Sequence, residues 1–117
     1  MSAYAIGNLR PPTHLPEDTL TYIECVQDTL DPFGGRFLVH GATQRTVPEG
    51  SWPEALVIIV FPSYADAQAW YHSPAYQELL PLRTRHIDGD VLLIDGVPED
   101  YDPAATARAL RAAQSAA

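Results

Sequence analysis

Apolar and polar positions alternate with two different periods along the 117-residue chain. Tyr4, Ile6 and Leu9 mark a strand over 3–9, which Pro11-Pro12 stops. Pro16-Glu17-Asp18 then opens a helix, with proline fitting a first turn and acidic residues favouring the helix dipole. Leu20, Ile23, Val26 and Leu30 return at roughly helical spacing until Asp31-Pro32 and Gly34-Gly35 end the segment. A second strand is predicted over 36–40, ending at Gly41. Residues 42–54 hold Pro48, Gly50 and Pro53 and read as a hairpin-like connection with room for one short edge segment. The run Ala-Leu-Val-Ile-Ile-Val-Phe over 55–61 is the clearest strand, too short for a core helix and blocked by Pro62. Ser63, with Asp66 three residues on, carries a helix-capping pattern, and Ala65, Ala67, Ala69 and Trp70 continue that helix. Ser73-Pro74 restarts it, with Tyr76, Leu79 and Leu80 following. Asp88-Gly89-Asp90 predicts a turn, and 91–94 the last strand before Gly96.

The element order is therefore β-α-β-β-α-β, an α+β, ferredoxin-like protomer with a four-stranded antiparallel sheet and both helices on one face. Strands 55–61 and 91–94 are apolar on both faces, whereas a strand with one wet face alternates. Two helices cover only one face of such a sheet. A second copy of the chain, packed sheet on sheet about a two-fold axis, is the expected cover. The alternative is a helix or the C-terminal tail wrapped over that face. We divide the chain into a domain over 1–97 and a tail over 98–117. The tail begins with the acidic turn Glu99-Asp100-Tyr101-Asp102-Pro103, and residues 104–117 hold eight alanines of fourteen. Such a segment forms a short helix that docks on the partner or frays.

Charge narrows the partners. Fifteen acidic residues against seven basic ones give a formal net charge of -8, which repels phosphate backbones, so nucleic acid is not expected. All seven basic residues are arginines; without lysine there is no Schiff base, covalent pyridoxal phosphate or P-loop. The single Cys25 excludes an intrachain disulfide and any multi-cysteine metal site. His14, His40, His72 and His86 show no metal-ligand spacing, and neither a nucleophile elbow nor a dinucleotide loop is present. No metal and no cofactor are expected. With no signal peptide visible and no apolar run longer than the seven residues of 55–61, a cytoplasmic protein without a membrane partner is expected.

Two stretches resemble a known family. One is Gly34-Gly35-Arg36-Phe37-Leu38-Val39-His40-Gly41 followed by Glu49-Gly50-Ser51-Trp52-Pro53. The other is Phe61-Pro62-Ser63, then Ala69-Trp70-Tyr71-His72-Ser73-Pro74-Ala75-Tyr76 and Leu82-Arg83. With Gly89-Asp90 and Gly96 these are similar to the domain-of-unknown-function family 1330, in the dimeric α/β-barrel superfamily, over about four-fifths of the chain. The resemblance implies a sheet-paired dimer and relatives that include cofactor-free monooxygenases, isomerases and small-molecule binding modules. Three positions depart from the family: His40 where arginine is frequent, Val60 where glutamate is frequent, and His72 where Asp or Asn is frequent. Because strands two and three are neighbours, His40 and Val60 read as the joint replacement of an Arg–Glu pair.

His40, at a strand end, is the first candidate for acid-base catalysis, since imidazole exchanges protons readily near neutral pH. Burial beside Val60 would favour its neutral, basic form. Tyr71 is the second catalytic candidate and, like Tyr76, can present a hydroxyl to a cavity. Arg83 and Arg36 can each clamp a ligand carboxylate or serve a structural ion pair, Arg83 with a partner such as Asp90. Trp70 belongs to a core or a pocket wall, and Trp52 packs on a partner subunit or a bound ring. Substrate binding is thus assigned to Arg36, Trp52, Trp70, Tyr76 and Arg83. The leading expectation is a cofactor-free isomerase, cyclase or monooxygenase-like enzyme acting by proton transfer on a small apolar or aromatic metabolite. The alternatives are a non-catalytic small-molecule-binding dimer and an interaction protein without a pocket.

Overall fold

The computed structural model describes residues 1–116. Strands β1 (Ala3–Arg10), β2 (Arg36–Val39), β3 (Ala55–Phe61) and β4 (Asp88–Asp95) form one sheet in the order β2-β3-β1-β4. Every neighbouring pair is antiparallel. Helices α1 (Glu17–Leu30), α2 (Tyr64–Tyr71), α3 (Pro74–Leu79) and α4 (Pro81–Thr84) connect them. This is the ferredoxin-like β-α-β-β-α-β arrangement, as the element order predicts. Ser63 caps α2 by accepting a hydrogen bond from the Asp66 amide, and Ser73 caps α3 in the same way through Tyr76. The turn over 31–35 closes on Gly34, whose φ of 71° suits a residue without Cβ.

Side-chain alternation divides the sheet into two unlike faces. Ala3 and Ala5 of β1, Ile59 and Phe61 of β3, and Val26 and Leu30 of α1 pack with Ala67, Trp70 and Tyr76 as the buried core. The opposite row carries Ile6 between Ile58 and Leu92, and Tyr4 between Val60 and Ile94. On that second face Leu38, Leu92 and Ile94 are 45–50% exposed. No helix of the described residues lies over it, so the sheet is apolar on both sides and covered on one.

Two expectations change. Asp88-Gly89-Asp90 is not a turn but the start of β4, because Arg10, Leu9 and Asn8 extend the β1 ladder to meet it. The chain reverses earlier, through the unanticipated α4 and the residues after it, where the His86 and Ile87 amides both donate to the Arg83 carbonyl. No strand occurs within 42–54, so the short edge segment is absent from the described residues. Helix α5 (Pro103–Ala116) forms in the alanine-rich tail, and all its residues are exposed, Leu110 at 59%.

Candidate active-site cleft

A cleft of about 60 Å³ opens between the sheet and α1, and its existence follows from small residues on the central strand. Ala5 and Gly7 of β1 form part of the floor with Val57 and Ile59 of β3. Large side chains there would close the space. Tyr22, Ile23 and Val26 of α1 form one wall, and Trp70, Tyr76 and Arg83 another.

The edge strand supplies Phe37 and His40. Simple alternation would put Phe37 and His40 on opposite faces of β2. A bulge between Phe37 and Val39 alters this: Phe37 pairs with Ile59, and Val39 with Ile58, whose side chain faces away from the helices. The extra residue returns His40 to the cleft side, which is a common use of bulges beside sites. There its ring stacks on Phe37 with centroids 4.6 Å apart at 22°. His40 is exposed at the mouth rather than buried. Nor does it neighbour Val60, whose β2 partner is Arg36. The expectation of a desolvated His40 beside Val60, replacing an ion pair as a unit, is therefore corrected by the register.

At the inner end, the hydroxyls of Tyr22 and Tyr76 are 2.7 Å apart, and the Arg83 guanidinium lies 5.7 Å from the Tyr22 ring centroid. Arg83 is only 7% exposed. The expected structural pairing with Asp90 is not formed, because Asp90 lies 3.6 Å from Arg10 instead. Asp18 of α1 is paired with Arg85 and His86, beyond the end of α4. Burial draws the Arg83 pKa down, but the neighbouring Tyr76 and Tyr22 together outweigh it and raise the value. Arg83 is cationic at every ordinary pH.

Burial pushes the Tyr76 phenol pKa far up, and Tyr22 beside it adds to the rise. Tyr76 is thus a permanent hydroxyl, able to donate but not to act as a base. Its folded pKa lies above its unfolded value of 10.0, so its contribution is complete below pH 10 and fades as pH climbs beyond. Native stability is expected to fall above pH 10 by up to about 1.4 kcal/mol per pH unit from this group. Urea midpoints from pH 8 to 11.5 check this: Tyr76→Phe should flatten the alkaline limb, and a limb as steep as wild type would contradict the assignment.

Of the seven residues singled out in the sequence, four wall this cleft: His40, Trp70, Tyr76 and Arg83. Trp70 is chiefly a core residue, 2% exposed. Tyr71 sits behind it, edge-on at 6.0 Å between centroids, and does not line the cleft. Arg36 is exposed, cross-strand from Val60 on the uncovered face. Trp52 is 51% exposed in the 41–54 loop, near Val39 and Leu56, with its carbonyl accepting a hydrogen bond from Arg45. Sequence reading missed Tyr22 and Phe37. The available signal was the small-residue row Ala3, Ala5, Gly7, which marks where a cleft must open beneath α1.

Comparison places the fold among known structures. A protein of unknown function from Rhodopseudomonas palustris superposes with a TM-score of 0.60 at 18% identity, covering 83% of each chain. SnoaB, a cofactor-independent oxygenase from Streptomyces nogalater, gives 0.56 at 9% identity, covering 86% of this chain and 98% of its own. A protein from Agrobacterium tumefaciens gives 0.51 at 11% identity over 85% and 96% of the two chains. These likenesses concern the fold alone. No curated protein matches the sequence. The model of the family described as domain of unknown function (DUF1330) matches residues 2–97, and the chain belongs to that family.

Proposed function

We propose that the chain is a cofactor-independent enzyme that moves a proton on a small apolar or aromatic metabolite in the helix-side cleft, working as a homodimer. The observation that carries this reading is the β2 bulge, which turns His40 into an apolar cleft that also holds Arg83 and the Tyr22–Tyr76 hydroxyl pair. His40 at the mouth is the base: it takes a proton from a carbon acid and exchanges it with solvent. As negative charge develops on a substrate oxygen, the fixed cation and a phenolic O–H stabilise it, as preorganised donors do in a water-poor site. Isomerisation and cyclisation need no more than these groups. The likeness of fold to a cofactor-independent oxygenase is compatible with such chemistry. Arg36, Trp52 and the apolar face around Ile58 then belong to the dimer interface rather than to substrate binding.

Deuterium wash-in, followed by proton NMR, tests the base. Wild-type protein is incubated in D₂O with arylacetic acids and 1,3-dicarbonyl compounds. At least one should exchange faster than in buffer, and His40→Ala should slow that exchange by about 10²- to 10⁴-fold. Equal rates for the two proteins would remove His40 from the chemistry.

A further inference from the structure

We infer that Arg83, with Tyr22 and Tyr76, forms a carboxylate-binding subsite, so that the cleft takes a small monocarboxylate with an apolar body. The inference deepens the proposed function by naming its substrate class, and it rests on that reading only for the location of the site.

Donor and acceptor counting leads to it. A guanidinium carries five N–H donors and accepts nothing. Arg83 is more than nine-tenths buried, lines the cleft, and has no carboxylate within ion-pair distance among the described residues. Its polar neighbours are the two phenol oxygens. The Tyr22–Tyr76 bond uses one of their two protons, since either oxygen can donate to the other. The second proton has no acceptor among the hydrogen bonds of the described residues. The inner end of the cleft therefore holds a positive charge and an excess of donors, in a space otherwise walled by Val26, Val57 and Ile59.

A buried cation without a counter-charge is costly, and it is relieved by a ligand that brings one. Arginine meets a carboxylate with two parallel hydrogen bonds, and the spare phenol proton suits one of the same oxygens. The free volume of about 60 Å³ is that of a few waters, which limits the ligand to a carboxylate head and a short apolar stem or single ring.

The test titrates the full-length protein with acetate, butyrate and benzoate, and with butyramide and benzamide as neutral isosteres, at constant ionic strength. Melting temperature and calorimetric titration are read together. Butyrate or benzoate should raise the melting temperature saturably, while the amides leave it unchanged. Arg83→Gln should weaken the acid by about 10- to 100-fold, as loss of charged hydrogen bonds does. Tyr22→Phe keeps the charge and should weaken it less, and Arg111→Gln in the tail should have no effect. Should Arg83→Gln fail to fold, the acid–amide contrast on wild type and the Tyr22→Phe affinity decide.

Equal effects of acids and amides, no saturable binding of any acid, or wild-type affinity in Arg83→Gln would each overturn the subsite. The two readings fail separately. Benzoate binding that persists in His40→Ala, with no His40-dependent deuterium exchange on any compound, would leave the subsite and remove the enzyme. His40-dependent exchange without carboxylate preference would do the reverse.

Discussion

Replacing Trp70 with alanine is expected to destabilise the fold by about 3–5 kcal/mol, the range for removing a large aromatic side chain from a packed interior. Trp70 is 2% exposed and holds together elements distant in sequence. Its ring lies 4.1 Å from that of Tyr76 and 5.4 Å from that of Phe61, joining α2 to α3 and to β3. Its indole N–H donates to the Thr29 hydroxyl at 3.0 Å, and that hydroxyl donates to the Val26 carbonyl, tying α2 to the end of α1. Because native domains hold only about 5–15 kcal/mol, this one truncation removes a large share. Trp70→Phe should cost less: it keeps most of the packing and loses the bond to Thr29. Leu110→Ala is the internal control, since Leu110 is 59% exposed on α5 and makes no core contact. Urea unfolding checks the series. A loss below about 1.5 kcal/mol in Trp70→Ala would mean that the neighbours collapse into the space and that Trp70 is not the keystone of the layer.

The same tryptophan links stability to the site, because it walls the cleft from behind while Tyr76, against which it packs, presents the hydroxyl. A variant that loosens Trp70 should therefore also loosen Tyr76 and, through it, Arg83. The site stands on rigid elements at its inner end and on an edge strand at its mouth. In the proposed enzyme that division suits a fixed anion-binding end and an accessible proton-exchanging end.

Much of the fold was legible because its signals are local. The seven-residue apolar run before Pro62, the Ser63 and Ser73 caps and the Gly34 turn each act within a few residues, and all appear where the pattern puts them. Asp88-Gly89-Asp90 misled because its turn chemistry is genuine but is overridden by pairing with Asn8, Leu9 and Arg10, residues some eighty positions earlier. The candidate site was legible by residue type and not by placement. Arginine, histidine and aromatic side chains stand out in a sequence; a bulge that inverts the face of His40 does not. Tyr22 lies outside the Leu20, Ile23, Val26 and Leu30 spacing read for α1, of which Leu20 and Ile23 are each 40% exposed, and its place in the cleft appears only when Tyr76 is set beside it. Arg83 and Asp90 looked like a pair until the extended β4 carried Asp90 to Arg10.

Placing aspartate at position 58 is expected to split the proposed dimer, whereas aspartate at position 59 is expected to unfold the chain. The two neighbours point to opposite faces of β3, so the pair separates assembly from folding. Ile59 is 6% exposed within the helix-side core, and an unpaired carboxylate there should cost more than about 4 kcal/mol and leave no cooperative transition. Ile58 pairs with Ile6, which in turn pairs with Leu92, at the centre of the uncovered face. Leu38, Leu92 and Ile94, each near half exposed, extend that patch, and patches of this kind mark interaction surfaces. In the proposed sheet-to-sheet assembly a charge at 58 would be buried in the interface without a counter-charge. Light scattering should then give twice the chain mass for wild type and the single mass for Ile58→Asp, with far-ultraviolet circular dichroism retained. Ile58→Asp remaining at twice the chain mass with wild-type stability would show that the subunits join elsewhere. A monomeric wild type would leave the face to another partner and remove Arg36 and Trp52 from any interface between copies.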